Sequence, residues 1–92
     1  VVTDIDKDTM IAKVDFGDGI PRKAAIGISD ERIERGDIVI VHAGIIVSKL
    51  TTEGLLEQVR FLEELLGEDA KTLTVLYENI MRLSQMIKGG SR

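Results

Sequence analysis

The sequence predicts a mainly β fold with α-helix at its carboxyl end: a small five-stranded OB-like β-barrel followed by a two-helix hairpin. Three observations carry that expectation. Five short, β-branched or alternating runs separated by turn signals lie before Leu50. The most apolar run, Val39 to Leu50, is bounded by Gly36-Asp37 in front and by Thr51-Thr52-Glu53 behind. From Thr52 onward apolar residues recur every three or four positions, the period of a helix rather than a strand.

The elements follow in order. Val1 to Ile5 alternates loosely and ends in the charged turn Asp6-Lys7-Asp8. Met10 to Phe16 alternates more cleanly, with Met10, Ala12, Val14 and Phe16 on one face and Ile11, Lys13 and Asp15 on the other. Gly17-Asp18-Gly19 is a hairpin signal, because these residues tolerate positive φ. Ile20 to Ile28 reads as the third strand, with Pro21 confined to its beginning or to an unpaired edge. Ser29 to Arg35 is polar with one apolar anchor, Ile33, and suits a single helical turn capped by Ser29 or Asp30. Ile38–Val41 and Ile45–Lys49 form the last two strands, with His42 at their junction and Ala43-Gly44 as the turn or bulge. A barrel removes the edges that five short strands would expose, and an SH3-like barrel is the close competitor.

Leu55, Leu56, Val59, Leu62, Leu65 and Leu66 define the stripe of a first helix, capped by a threonine and stopped at Gly67. Leu73, Leu76, Tyr77, Ile80, Leu83 and Ile87 define a second, which Glu68-Asp69 caps. The expected organisation is a barrel over 1–50, a helical hairpin over 51–88 and a flexible tail over 89–92.

Composition narrows the function. At 92 residues this is one domain with a thin core, so docking to a partner would add to its stability. With 43% hydrophobic and 30% charged residues it has the makeup of an ordered globular chain. A net charge of −4, no basic block and three aromatic residues argue against nucleic acid, including single strands bound by an OB-like barrel. No run approaches the roughly 20 apolar residues of a membrane span and no leader is evident, so a cytoplasmic location is expected. The absence of cysteine excludes disulfides and thiolate metal sites within these residues.

His42 is the sharpest candidate for chemistry, since imidazole accepts a proton or ligates a metal near neutral pH. On residue type alone, a histidine satisfied structurally at the barrel rim is the simpler account, because no second histidine stands nearby. Asp15, Asp18, Glu34 and Asp37 sit in or beside turns, where carboxylates serve the backbone. Gly17-x-Gly19 lacks the helix and third glycine of a dinucleotide site. Arg22 and Lys23 make a small basic spot and Lys49 another; all three are candidates for contacting a partner. The leucine stripes are most simply core, although a second apolar helix can pair with another copy of the chain or offer a groove.

The order of Ala12-Lys13-Val14-Asp15-Phe16-Gly17, Arg22-Lys23, Gly36-Asp37-Ile38-Val39-Ile40-Val41-His42-Ala43-Gly44 and the following Ile45 to Leu50 resembles the HypC/HybG/HupF family of nickel–iron hydrogenase maturation chaperones. The resemblance covers about the first 55 residues. It implies a non-enzymatic chaperone that engages the HypD scaffold protein and the hydrogenase large-subunit precursor. It implies a transient Fe(CN)2CO unit as cargo, with no cofactor held by these 92 residues themselves. It also implies that His42 acts beside a cysteine on an amino-terminal arm, in a Met-Cys-x-x-x-Pro opening that this sequence does not contain. His42, Ala43 and Gly44 then lie near the iron unit or the partner, and the imidazole is expected at the root of that arm. The alternative class is a general interaction module that recognises through its helices.

Overall fold

The computed structural model describes residues 1–27 and 32–90. Five strands form one sheet: β1 (Val2–Asp6), β2 (Ile11–Asp15), β3 (Pro21–Ile26), β4 (Val39–His42) and β5 (Ile45–Lys49), in the order β1-β2-β3-β5-β4. All pairs are antiparallel except β3 with β5, which run parallel through Ala25–Ile45 and Ile26–Ile46. Pro21 opens β3, where a missing N–H costs least. The expected strand end at Ile28 and the cap at Ser29 or Asp30 lie outside the described residues. Arg32 to Arg35 are not helical, although Ile33 does anchor the segment in the core.

β1 and β4 are the two edges of this order, so strand pairing does not close the sheet into a barrel. Two backbone bonds link those edges instead. The Val2 amide donates to the Asp37 carbonyl at 2.9 Å, and the Gly36 amide donates to the Val2 carbonyl at 2.8 Å. With Gly36 at φ +89°, this is the pattern of a glycine bulge, in which two residues oppose one.

The helical part runs without a non-helical break: α1 (Thr52–Leu66), a 3-10 turn (Gly67–Ala70) and α2 (Lys71–Gly90). Thr51 caps α1 by accepting from the Gly54 amide at 3.0 Å. A 3-10 turn thus stands where a loop was expected, and Gly89 and Gly90 belong to α2 rather than to a frayed tail. Leu55 of α1 and Ile80 and Leu83 of α2 pack in one cluster with Val1 and Ile38. A straight helix would hold Leu55 and Ile80 about 37 Å apart. The 3-10 turn therefore redirects the chain, and α2 comes back to the sheet.

A second cluster, Val2, Ala12, Val14, Ala24, Ile33 and Ile46, fills the inside of the curved sheet. Met10 and Phe16, expected on that inner face, are exposed instead. Met10 belongs to the turn before β2 at φ +56°, which takes it out of the strand's alternation.

α2 is held to the sheet by polar contacts at named points. Asn79 Nδ2 donates to the Gly17 carbonyl at 2.9 Å, and Ser84 Oγ donates to the Gly36 carbonyl. Lys88 Nζ lies 2.9 Å from Asp37, whose buried carboxylate also meets Lys49 at 3.4 Å and accepts from the Glu34 amide at 2.8 Å. Burial pushes the Asp37 carboxyl up, but the Lys88 bond, the Glu34 amide and the charges of Lys88 and Lys49 outweigh it and leave the group below its ordinary value. A carboxylate depressed in the folded state stabilises above its unfolded pKa of about 3.9, and that contribution is lost as pH falls through the lower folded value. Asp37→Asn is therefore expected to cost about 1–2 kcal/mol at pH 7, modest because both lysines remain partly in water. Thermal unfolding of both proteins from pH 7 to pH 2 checks this: the gap should shrink through the acid limb, and a constant gap would show that the charge contributes nothing.

Candidate functional site

His42 is the last residue of β4, and its ring is exposed. It pairs with Ile45 across the two-residue turn Ala43-Gly44, whose φ angles of +52° and +78° give the tight reversal of a β-hairpin. Glycine takes such an angle freely, while Ala43 carries it at roughly 1–2 kcal/mol. The turn is braced from the side, because the Ala25 amide donates to the Gly44 carbonyl at 2.8 Å. Strand alternation puts Ile40 on the same outward face as His42, and pairing puts Ile45 there too. Ile40, Ile45 and the nearby Val47 are 38%, 44% and 50% exposed. The imidazole thus stands in water amid an aliphatic patch, with no hydrogen bond or ion pair to any described residue.

Ile40, Ile45 and Val47 were not among the residues expected at the site. Their signal was present all the same: the run from Val39 to Val47 is apolar at both strand parities, while only one face of the sheet meets the core. The outward half of that run has no intramolecular reason to be apolar.

The three basic candidates do not converge on His42. Arg22 is committed to the neighbouring hairpin, 2.7 Å from Asp18 and 5.4 Å from the centre of the Phe16 ring. Its bond, with the Ile20 amide, holds the Asp18 carboxyl below the usual range. Lys49 pairs with Val39 at the far end of the hairpin and serves Asp37. Lys23 lies between these extremes. It faces Lys13 across β2 and β3, in an open groove that also meets Asp4, Asp6, Ile11 and the turn residue Gly44. Neither lysine reaches a carboxylate among the described residues. The turn carboxylates do serve the backbone as expected: Asp15 accepts from the amides of Gly17 and Gly19, and Asp18 from that of Ile20.

One expectation is corrected. The imidazole does not stand next to Val1. Val1 packs with Ile38 at the start of β4 and pairs by backbone bonds with Asp15, whereas His42 ends β4 about 13 Å further along. Among the described residues no three His, Cys, Asp or Glu side chains gather as a metal site, and His42 offers a single donor. No described helix is long and apolar enough to cross a membrane.

The site is thus an exposed imidazole beside three partly exposed aliphatic side chains, on a small sheet braced by a returning helix. Comparison with known proteins gives the lineage. Residues 1–62 match the HupF/HypC family, and the chain belongs to that family. It is 35% identical over 60 residues to the hydrogenase maturation factor HypC of Helicobacter hepaticus, across 65% of this chain and 69% of that protein. No solved structure matches the chain significantly.

Proposed function

We propose that this chain is a hydrogenase maturation chaperone rather than a catalyst, and that the outward face around His42 is where it works. The observation that carries this reading is the isolated, water-facing imidazole among Ile40, Ile45 and Val47, on a hairpin fixed to β3 through Gly44. Aliphatic side chains exposed on a rigid hairpin gain free energy when a partner covers them, at about 25 cal/mol per Å². The partners are a HypD-like scaffold protein and the hydrogenase large-subunit precursor, and the cargo passed between them is an Fe(CN)2CO unit. His42, Ala43 and Gly44 form the contact nearest that cargo. A single imidazole cannot hold the iron unit alone, so the remaining ligands come from outside these 92 residues, and a soft thiolate suits them best. The finer form of the fold belongs with this reading: a barrel completed between β1 and β4, and α1 and α2 acting as a hairpin that bears on it.

His42→Ala in the complete protein should abolish or reduce hydrogenase maturation by at least about tenfold while leaving unfolding unchanged, because the ring makes no contact the fold needs. Maturation activity in a strain dependent on the variant, with circular dichroism as the control for folding, makes the measurement. Wild-type maturation would dismiss the histidine.

A second reading has its own observation. Phe61, Leu65, Val75 and Met86 are 62%, 66%, 54% and 65% exposed on α1 and α2, so the helices also present apolar surface to a partner or a second copy. Phe61→Asp with Leu65→Asp should then remove partner capture or self-association while His42→Ala leaves it intact. The first reading expects the reverse for cargo transfer.

A further inference from the structure

We propose that the groove over β1, β2 and β3, beside the His42 hairpin, seats an extended acidic segment of a protein partner, with one carboxylate held between Lys13 and Lys23. The groove is open and has a volume of about 790 Å³. Strand register places its walls. On the outward face Asp4, Lys13 and Lys23 stand side by side across the three strands, and Asp6, Ile11 and Ala25 form the next row. Pairing extends that second row through Ile45 to His42. Ala25 and Gly44 carry little or no side chain, so the floor between the lysines and the hairpin tip stays low, with Ile11 as an apolar wall. The bond from the Ala25 amide to the Gly44 carbonyl fixes the tip against this floor.

Charge selects the occupant. Lys13 and Lys23 are directly opposed across β2 and β3, a relation that brings Cβ atoms to about 5 Å and in which like charges cost stability. Neither ammonium has an ion pair among the described residues. The nearby aspartates are turned to the backbone instead. Asp4 accepts from the Ile5 amide at 2.9 Å, and Asp6 accepts from the Asp8 and Thr9 amides at 3.0 and 3.3 Å. A carboxylate entering between the lysines relieves their repulsion and gains two charge-assisted contacts. A polyanion long enough to fill the groove would also lie against Asp4 and Asp6, which disfavours nucleic acid. A free phosphate would use the lysines and leave the apolar wall uncovered. A peptide with an aliphatic residue two positions from an acidic one satisfies both, because side chains two apart in an extended chain share a face.

The inference rests on the reading of the His42 face as a protein-docking surface and adds the chemistry of what docks there. It is tested on the full chain with an acetylated, amidated hexapeptide that alternates glutamate with valine, followed by amide chemical shifts. The shifts should saturate and concentrate at Ile11, Lys13, Lys23, Ala25 and Gly44. Glutamine in place of the glutamates, or Lys13→Glu or Lys23→Glu in the protein, should weaken binding by about tenfold or more. Lys23→Glu should at the same time raise the midpoint of thermal unfolding by about 2–4 °C, because a repelling pair becomes an attracting one. Binding lost from a protein that has become more stable does not come from damage to the fold. Inorganic phosphate should bind at least about tenfold more weakly than the peptide. Absence of saturable shifts, phosphate binding as tight as the peptide's, or lysine variants that bind like the parent overturns the proposal. Such a failure leaves the maturation function standing, since a partner can cover Ile40, Ile45 and Val47 without entering the groove. A silent His42→Ala leaves the groove standing.

Discussion

Replacing Ile46 with alanine should cost about 3 kcal/mol, the largest loss expected from a single side chain here. Ile46 is fully buried in the inner cluster, and its strand joins the two halves of the sheet through the parallel pair with Ile26. Truncation removes apolar surface from the core and leaves a cavity that a closely packed sheet fills only in part. A chain of this size has of the order of 5–15 kcal/mol to lose, so the midpoint of thermal unfolding should fall by roughly 15 °C. Val47→Ala, one residue on, is the control: that side chain is half exposed, and its truncation should stay within about 0.5 kcal/mol. Urea and thermal unfolding of the two variants decide the matter, and equal losses would mean that the two faces of β5 have been assigned wrongly.

Gly17→Ala is expected to be nearly as damaging, for a different reason. A Cβ there would lie 2.5 Å from the Leu76 carbonyl oxygen, a backbone atom of α2, and the residue is held at φ +96°. Backbone cannot swing aside as the end of a side chain does, so the helix must lift from the β2–β3 turn and the Asn79 bond to the Gly17 carbonyl goes with it. Strain and displacement together should cost about 2–4 kcal/mol. Gly19→Ala separates the two parts, because Gly19 also has positive φ but nothing within 4 Å of its Cβ position. Only the Gly17 variant should loosen amides from Leu76 to Ser84 in hydrogen exchange. Equal effects of the two substitutions would show that the turn's conformation matters and its closeness to α2 does not.

What could be read in the sequence was local. A threonine cap, which Thr51 supplies, Gly67 as a stop, Gly17-Asp18-Gly19 as a turn and Ile33 as a lone anchor are each settled by a few neighbouring residues, and each stands where expected. The parallel pairing of β3 with β5 joins residues far apart in the chain, and no propensity announces it. Alternation misled at Met10, because a positive φ in the turn breaks the count without changing the pattern of letters. The helical stripes read most simply as core, with pairing to another copy or a partner as the alternative; α1 buries only Leu55 fully, and its end at Leu65 and Leu66 faces water. The site was half legible. His42 stands out as a candidate because it is the one histidine, while the aliphatic residues around it are concealed by the general apolarity of their run. Charge alone marks Arg22 and Lys49 as candidates and does not reveal that each already has a partner.

The small corner at Gly36 and Asp37 has a practical consequence. It grips Val2 through its backbone and the last turn of α2 through Lys88, so the start of β1 and the end of α2 meet at the same pole. A fluorophore or affinity handle attached past Gly90 starts from the pole remote from the Ala43-Gly44 tip.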